Sequence, residues 1–269
     1  MMGMMIRLKT EHRTLERDGR KMKMILLRPE HADKRVPGIL WIHGGGYATG
    51  MASMVQLSMG KVLAKRYGAV VLSPGYTLSW KKPYPAALED CYAALEYLYD
   101  HAEELGVDKG RIIVGGESAG GGLFAAVCLY ARDKGKIPVS FQIPLYPMLD
   151  CFDTGSSRDN HAHVWNTKRN HQAWALYLKG VERNHVPYYA SPSRAEDLSS
   201  MPPCYTYVED GEPFYEETLT YVRKLNEAGI PARVDVFRGN THGFDLFFFT
   251  KNAREAKKKL LENTEHLFR

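Results

Sequence analysis

The stretch Arg111-Ile112-Ile113-Val114-Gly115-Gly116-Glu117-Ser118-Ala119-Gly120-Gly121-Gly122, running on into Leu123-Phe124-Ala125-Ala126-Val127-Cys128-Leu129-Tyr130-Ala131, decides how this chain folds. A short apolar run (111–114) ends in a glycine-rich turn (115–122), and a segment that is apolar all round follows (123–131). This is a strand feeding a buried helix, the unit of a parallel sheet covered on both faces. Inside the turn lies Gly116-Glu117-Ser118-Ala119-Gly120, a G-x-S-x-G pentapeptide. In isolation that pattern is weak, arising by chance in roughly one chain in ten of this composition. Its setting is specific: a serine between strand and helix, with glycines where a side chain would clash, is presented as a nucleophile. The competing readings are a structural glycine turn and a phosphate cradle, and the second lacks the lysine it needs.

Outward from this stretch the same alternation continues. Lys21–Leu27, Gly38–His43, Ala69–Ser73, Val139–Leu145, Cys204–Val208 and Arg233–Phe237 read as strands. Met54–Tyr67, Tyr84–Leu105, Phe214–Ala228 and Ala253–Leu267 have helical spacing. Strands alternating with helices predict one α/β domain over residues 1–269, built on a mostly parallel, doubly wound sheet. Residues 151–200 interrupt the alternation. They are polar and rich in aromatics (Phe152, Trp165, Trp174, Tyr177, Tyr188, Tyr189), and read as an insertion over the C-terminal edge of the sheet.

Two further signals accompany Ser118. His43-Gly44-Gly45-Gly46-Tyr47 directly follows the strand ending at Ile42. Consecutive glycines leave backbone N–H groups unshielded, and such groups can meet a developing oxyanion. With the N–H of Ala119, those of Gly45 and Gly46 would form an oxyanion hole, with Gly44 shaping the loop. The plainer reading is a flexible strand exit with His43 satisfied by hydrogen bonds. Thr241-His242-Gly243-Phe244 lies after the last strand and before the last helix. Of ten histidines only His242 stands where a triad base belongs, C-terminal to the serine on a strand-exit loop. His161 and His163 near Asp159 lack a third ligand fixed by spacing, so no metal site is expected.

Composition narrows the classes. Hydrophobic residues are 44% and charged residues 25%, the balance of a globular protein. The net charge of +5 comes from scattered Lys and Arg without a basic stripe carrying aromatics, which argues against nucleic acid as a partner. The first residues, Met1-Met2-Gly3-Met4-Met5-Ile6, turn charged too soon for a signal peptide, and no apolar span of about 20 residues follows. Cys91, Cys128, Cys151 and Cys204 lie far apart and read as buried thiols. A cytoplasmic location without membrane insertion is expected.

These motifs together resemble the hormone-sensitive-lipase-like branch of the α/β-hydrolase fold, bacterial carboxylesterases marked by HGGG and G-[DE]-S-A-G-G. The likeness runs from about residue 36 to 250 and includes Tyr84-Pro85-Ala86-Ala87-Leu88-Glu89-Asp90, Leu145-Tyr146-Pro147-Met148-Leu149-Asp150, Ser191-Pro192 and Met201-Pro202-Pro203. It implies hydrolysis of short-chain acyl esters without a cofactor, a small-molecule ester as partner, and allows a homodimer through the last strand. Relatives usually carry several cap helices before HGGG, whereas here the motif begins at residue 43. The cap must then come mainly from 151–200, giving a smaller or more open lid. The family's acid lies in a D-P-[LF]-x-[DE]-E segment, matched here by Glu212-Pro213-Phe214-Tyr215-Glu216-Glu217, so Glu212 stands where Asp is usual. Spacing alone leaves Asp210 as an alternative acid.

The expected triad is therefore Ser118, His242 and Glu212, with Gly44, Gly45, Gly46 and Ala119 at the oxyanion hole. Tyr47, Trp165 and Trp174 are candidate substrate contacts. Glu117 reads as a surface or supporting group. Two rival functions use the same fold: an amidase or aryl-formamidase, and a non-catalytic receptor. The retained His242 speaks against the receptor.

Overall fold

The computed structural model describes residues 6–269 apart from Asp18 and Asp33. The apolar start, residues 1–5, lies outside the described residues. Eight strands form one sheet: β1 (Leu8–Arg17), β2 (Arg20–Pro29), β3 (Val36–Ile42), β4 (Val70–Pro74), β5 (Val107–Glu117), β6 (Val139–Leu145), β7 (Cys204–Glu209) and β8 (Ala232–Phe237). Their order is β1-β2-β4-β3-β5-β6-β7-β8. β2 runs antiparallel to both of its neighbours, and every pairing from β4 to β8 is parallel. The helices are α1 (Met59–Tyr67), α2 (Ala86–Asp100), α3 (Ala102–Leu105), α4 (Ala119–Lys134), α5 (Thr167–Tyr177), α6 (Tyr215–Glu227) and α7 (Lys251–Thr264). This is the α/β-hydrolase architecture.

The central strands are apolar throughout because both faces are covered. One core joins Leu40, Ile42 and Val114 to α2 and α4, and the other joins Ile39, Trp41 and Ile113 to α1 and α7. Helix α4 has apolar or small residues on every side and is buried over almost its whole length. Gly135 in the left-handed region ends it.

Three details depart from the sequence reading. β1 is a strand that the sequence reading left out; its residues alternate between half-buried and exposed, so no apolar periodicity announces it. The helix expected over 54–67 is a 3₁₀ turn, Ala52–Leu57, followed by α1, which Ser58 caps by accepting the Lys61 N–H. The glycine turn of 115–122 shrinks to a single residue: β5 runs to Glu117 and α4 begins at Ala119. Residues 151–200 contain α5 and two short 3₁₀ turns, and no strand among the described residues. Three of the cysteines are buried, and Cys151 is half-buried.

The register of the sheet places the motifs together. Ile42 of β3 pairs with Gly116 of β5, so Gly44 and Ser118, each two residues further on, emerge side by side at the C-terminal edge. The loops after β7 and β8 leave that same edge, carrying Glu212 and His242.

Candidate active site

Ser118 has φ 57° and ψ −122°, a region that a residue with a Cβ rarely adopts. Such strain costs on the order of 1–3 kcal/mol and persists only where the surroundings enforce it. A Cβ on Gly116 would lie 2.6 Å from the Gly120 carbonyl, and one on Gly120 would collide with the carbonyls of Ile42 and His43. The serine backbone is fastened on both sides: its N–H donates to Leu145 O at 3.0 Å, and its carbonyl accepts from Met148 N at 3.0 Å. The side chain is thereby aimed away from both strand and helix. Its Oγ lies 2.7 Å from His242 Nε2.

His242 Nδ1 donates to Glu212 Oε2, so the ring is held as the tautomer that presents a lone pair to the serine hydroxyl. Glu212 is fully buried, and burial raises its pKa, opposed by the attraction of His242. Asp210, the alternative acid, is exposed and accepts the Gly239 N–H at 3.0 Å. The loop that carries the histidine is tied by Glu209, which accepts the Thr241 N–H at 2.7 Å and Asn252 Nδ2 at 2.8 Å. The edges of Tyr146 and Phe214 meet the imidazole, each with ring centroids 5.0 Å apart, and Trp165 stands 6.0 Å away.

The glycine loop is shaped by its backbone. Gly45 has φ 114° and Gly46 φ 57°, and the Gly45 carbonyl accepts from the N–H groups of Ala48 and Thr49. Among the described residues, the N–H groups of Gly44, Gly45, Gly46 and Ala119 have no protein acceptor. Ala119 opens α4, whose N-terminal partial positive charge favours an anion. A Cβ on Gly44 would lie 3.2 Å from the Ser118 Cβ, which measures how closely this loop approaches the serine. His43 itself is buried against Tyr76, with ring centroids 4.2 Å apart, and burial lowers its pKa to about 4. It is a neutral wall of the loop.

The three aromatic candidates are placed differently. Tyr47 is buried, donates its hydroxyl to Met148 O at 3.0 Å and stacks on Tyr177 at 4.0 Å, so its ring is part of the wall. Trp174 is buried behind it at 5.4 Å. Trp165 is half-buried and lies over the site, against Gly46 and near His242.

Glu117 is a supporting group and not a surface one. It is buried and accepts from Trp41 Nε1 at 3.2 Å and from Met59 N at 3.4 Å. Burial, helped by the charge of Asp245, raises its pKa to about 8. Asp245 in turn accepts the hydroxyls of Tyr146 and Tyr207, both at 2.7 Å. Sequence reasoning quoted Tyr146 and Phe214 only as members of motif segments, without a role, and did not name Asp245. Their roles arise from contacts made across the fold.

Comparison with known proteins identifies the family of the fold. A family model described as the alpha/beta hydrolase fold matches residues 39–246. The chain is 32% identical to Esterase LipI of Mycobacterium tuberculosis over 218 residues, 80% of this chain and 67% of the relative. It is 29% identical to Carboxylesterase NlhH of the same organism over 246 residues, 89% of this chain and 76% of the relative. Among solved structures it is similar to a bacterial heroin esterase, with a TM-score of 0.92 and 34% identity, over 97% of this chain and 85% of that one. The chain thus belongs to the α/β-hydrolase fold family, on its carboxylic-ester-hydrolase branch.

Proposed function

We propose that this protein is a serine carboxylesterase that cleaves short-chain acyl esters through Ser118, His242 and Glu212. One observation carries the reading: a buried carboxylate, an imidazole and a strained serine stand in hydrogen-bonded line, beside four backbone N–H groups without acceptors. In the first step Ser118 Oγ attacks the ester carbonyl as its proton passes to His242 Nε2. Glu212 balances the imidazolium charge, and the N–H groups of Gly45, Gly46 and Ala119 receive the oxyanion. The tetrahedral intermediate collapses, His242 protonates the departing alcohol, and the acyl group remains on Ser118. Water then enters, His242 takes its proton, and the acid leaves with the serine restored.

Residues 151–200 serve as the lid of this single domain, with Trp165 closing the acyl side. Such a lid favours acyl chains of about two to six carbons, each fitted methylene contributing at most ~1 kcal/mol. No helix among the described residues is long and apolar enough to cross a membrane. Four free cysteines fit a reducing cytoplasmic setting. The test is a series of p-nitrophenyl esters from acetate to palmitate, with an anilide for comparison. We expect kcat/KM to peak at short chains, anilide turnover to be far slower, and Ser118→Ala to lose about 10⁶-fold in kcat. A steady rise toward palmitate, or preference for the anilide, would replace this assignment.

A further inference from the structure

We propose that a second cleft, between the β1–β2 hairpin and residues 75–82, binds an amphiphilic anion: a carboxylate or phosphate head on an apolar body. The cleft has a volume of about 830 Å³ and contains none of Ser118, His242 or Glu212. That is the size of a small-molecule site.

Its rim is cationic. Arg17, Arg20, Lys21, Lys23, Lys81 and Lys82 line it, and Asp90 is the one carboxylate among the described lining residues. Asp90 is already engaged, 3.5 Å from Arg17, 3.6 Å from Arg20, and accepting the Thr77 N–H at 2.9 Å. Lys21 meets Glu16 at 3.3 Å. Among the described residues Lys23 and Lys82 form no ion pair, and Lys81 rests on the Trp80 ring at 5.0 Å. Arg20 donates through Nη1 to Thr77 Oγ1, while its Nη2, shielded from solvent, stands 3.6 Å from Asp90 Oδ1, beyond hydrogen-bond distance. A concavity lined by one sign of charge concentrates the field within it and attracts the opposite sign.

Its lining also has an apolar part. Met51, 63% exposed, supplies most of it, with the largely buried Tyr76 and with Met22 and Ile25 from opposite faces of β2. A bare inorganic anion would leave this apolar part wet, and a neutral apolar ligand would leave the cations unanswered. A molecule with both features answers both. The cleft also backs onto the glycine loop, because Tyr76 stacks on His43 and donates its hydroxyl to the His43 carbonyl at 3.2 Å.

The test is calorimetric titration of fluorophosphonate-treated protein with octanoate, octanol and inorganic phosphate, beside the double variant Lys23→Glu/Lys82→Glu. Both lysines are exposed and neither belongs to the catalytic machinery, so binding lost in the variant does not depend on the esterase reading. Octanoate should bind about tenfold or more tightly than octanol or phosphate, weaken with added salt, and lose about tenfold in the variant. Co-sedimentation with phosphatidylglycerol vesicles, lost in the same variant, would identify a lipid headgroup as the source. Octanoate binding without sedimentation would identify a soluble amphiphile. Octanoate binding no tighter than octanol, or unchanged in the variant, would overturn the proposal, as would failure of both octanoate and vesicles to bind.

Discussion

Among single residues, two carboxylates two positions apart have different fates. Glu212 is sealed against His242, whereas Asp210 caps the Gly239 N–H in solvent. Sequence register favoured Glu212 but left Asp210 open, because which carboxylate reaches the imidazole depends on how the 209–214 turn folds. Glu212→Gln should lose about 10⁴-fold in kcat by removing the counter-charge of the imidazolium. Asp210→Asn should stay near wild type, and the reverse ranking would move the acid to Asp210. Glu117 gives a second test. In the folded protein its pKa is raised to about 8 by burial and by Asp245, so it stays protonated where the unfolded chain has already ionised. Between an ordinary carboxyl pKa near ~4.3 and about 8 the native state therefore binds the extra proton, and this group's contribution to stability falls as pH rises. Glu117→Gln removes that dependence. Its melting temperature relative to wild type should climb between pH 5 and pH 8, and a constant difference would show that Glu117 is ionised when folded.

For whole elements, legibility followed burial. Strands β3, β4 and β6 announce themselves as apolar runs because water reaches neither face. β1 did not, because an edge strand with charged residues on both faces carries no period. The 3₁₀ turn Ala52–Leu57 merged with α1 in the sequence because both use similar apolar spacing, and only the Ser58 cap separates them. The aromatic content of 151–200 was readable, yet which rings face substrate was not. Tyr47 and Trp174 pack against each other, while Trp165, just before α5, lies over Gly46. Trp165→Ala should therefore widen the acyl side. The ratio of kcat/KM for p-nitrophenyl octanoate over butyrate is expected to rise about tenfold. An unchanged ratio would mean that another part of the lid sets chain length.

Across the whole molecule, the alternation of strand and helix was enough to predict a parallel, doubly wound sheet. The pairing register then does what no linear motif can. It brings residues 44, 118, 212 and 242, spread over nearly 200 positions, to one edge. The motifs of the candidate site were legible because the chemistry proposed for them constrains residue type and order along the chain. The basic cleft beside β2 was invisible, since its cations come from three separate segments and look scattered in sequence. The central claim is that Ser118 is the nucleophile. It is tested most directly by treating the native protein with a fluorophosphonate and mapping the adduct by mass spectrometry. One covalent modification on the tryptic peptide Ile112–Arg132, localised to Ser118 and absent in Ser118→Ala, is the predicted result. A protein that stays unlabelled, or a label on any other serine, would contradict it.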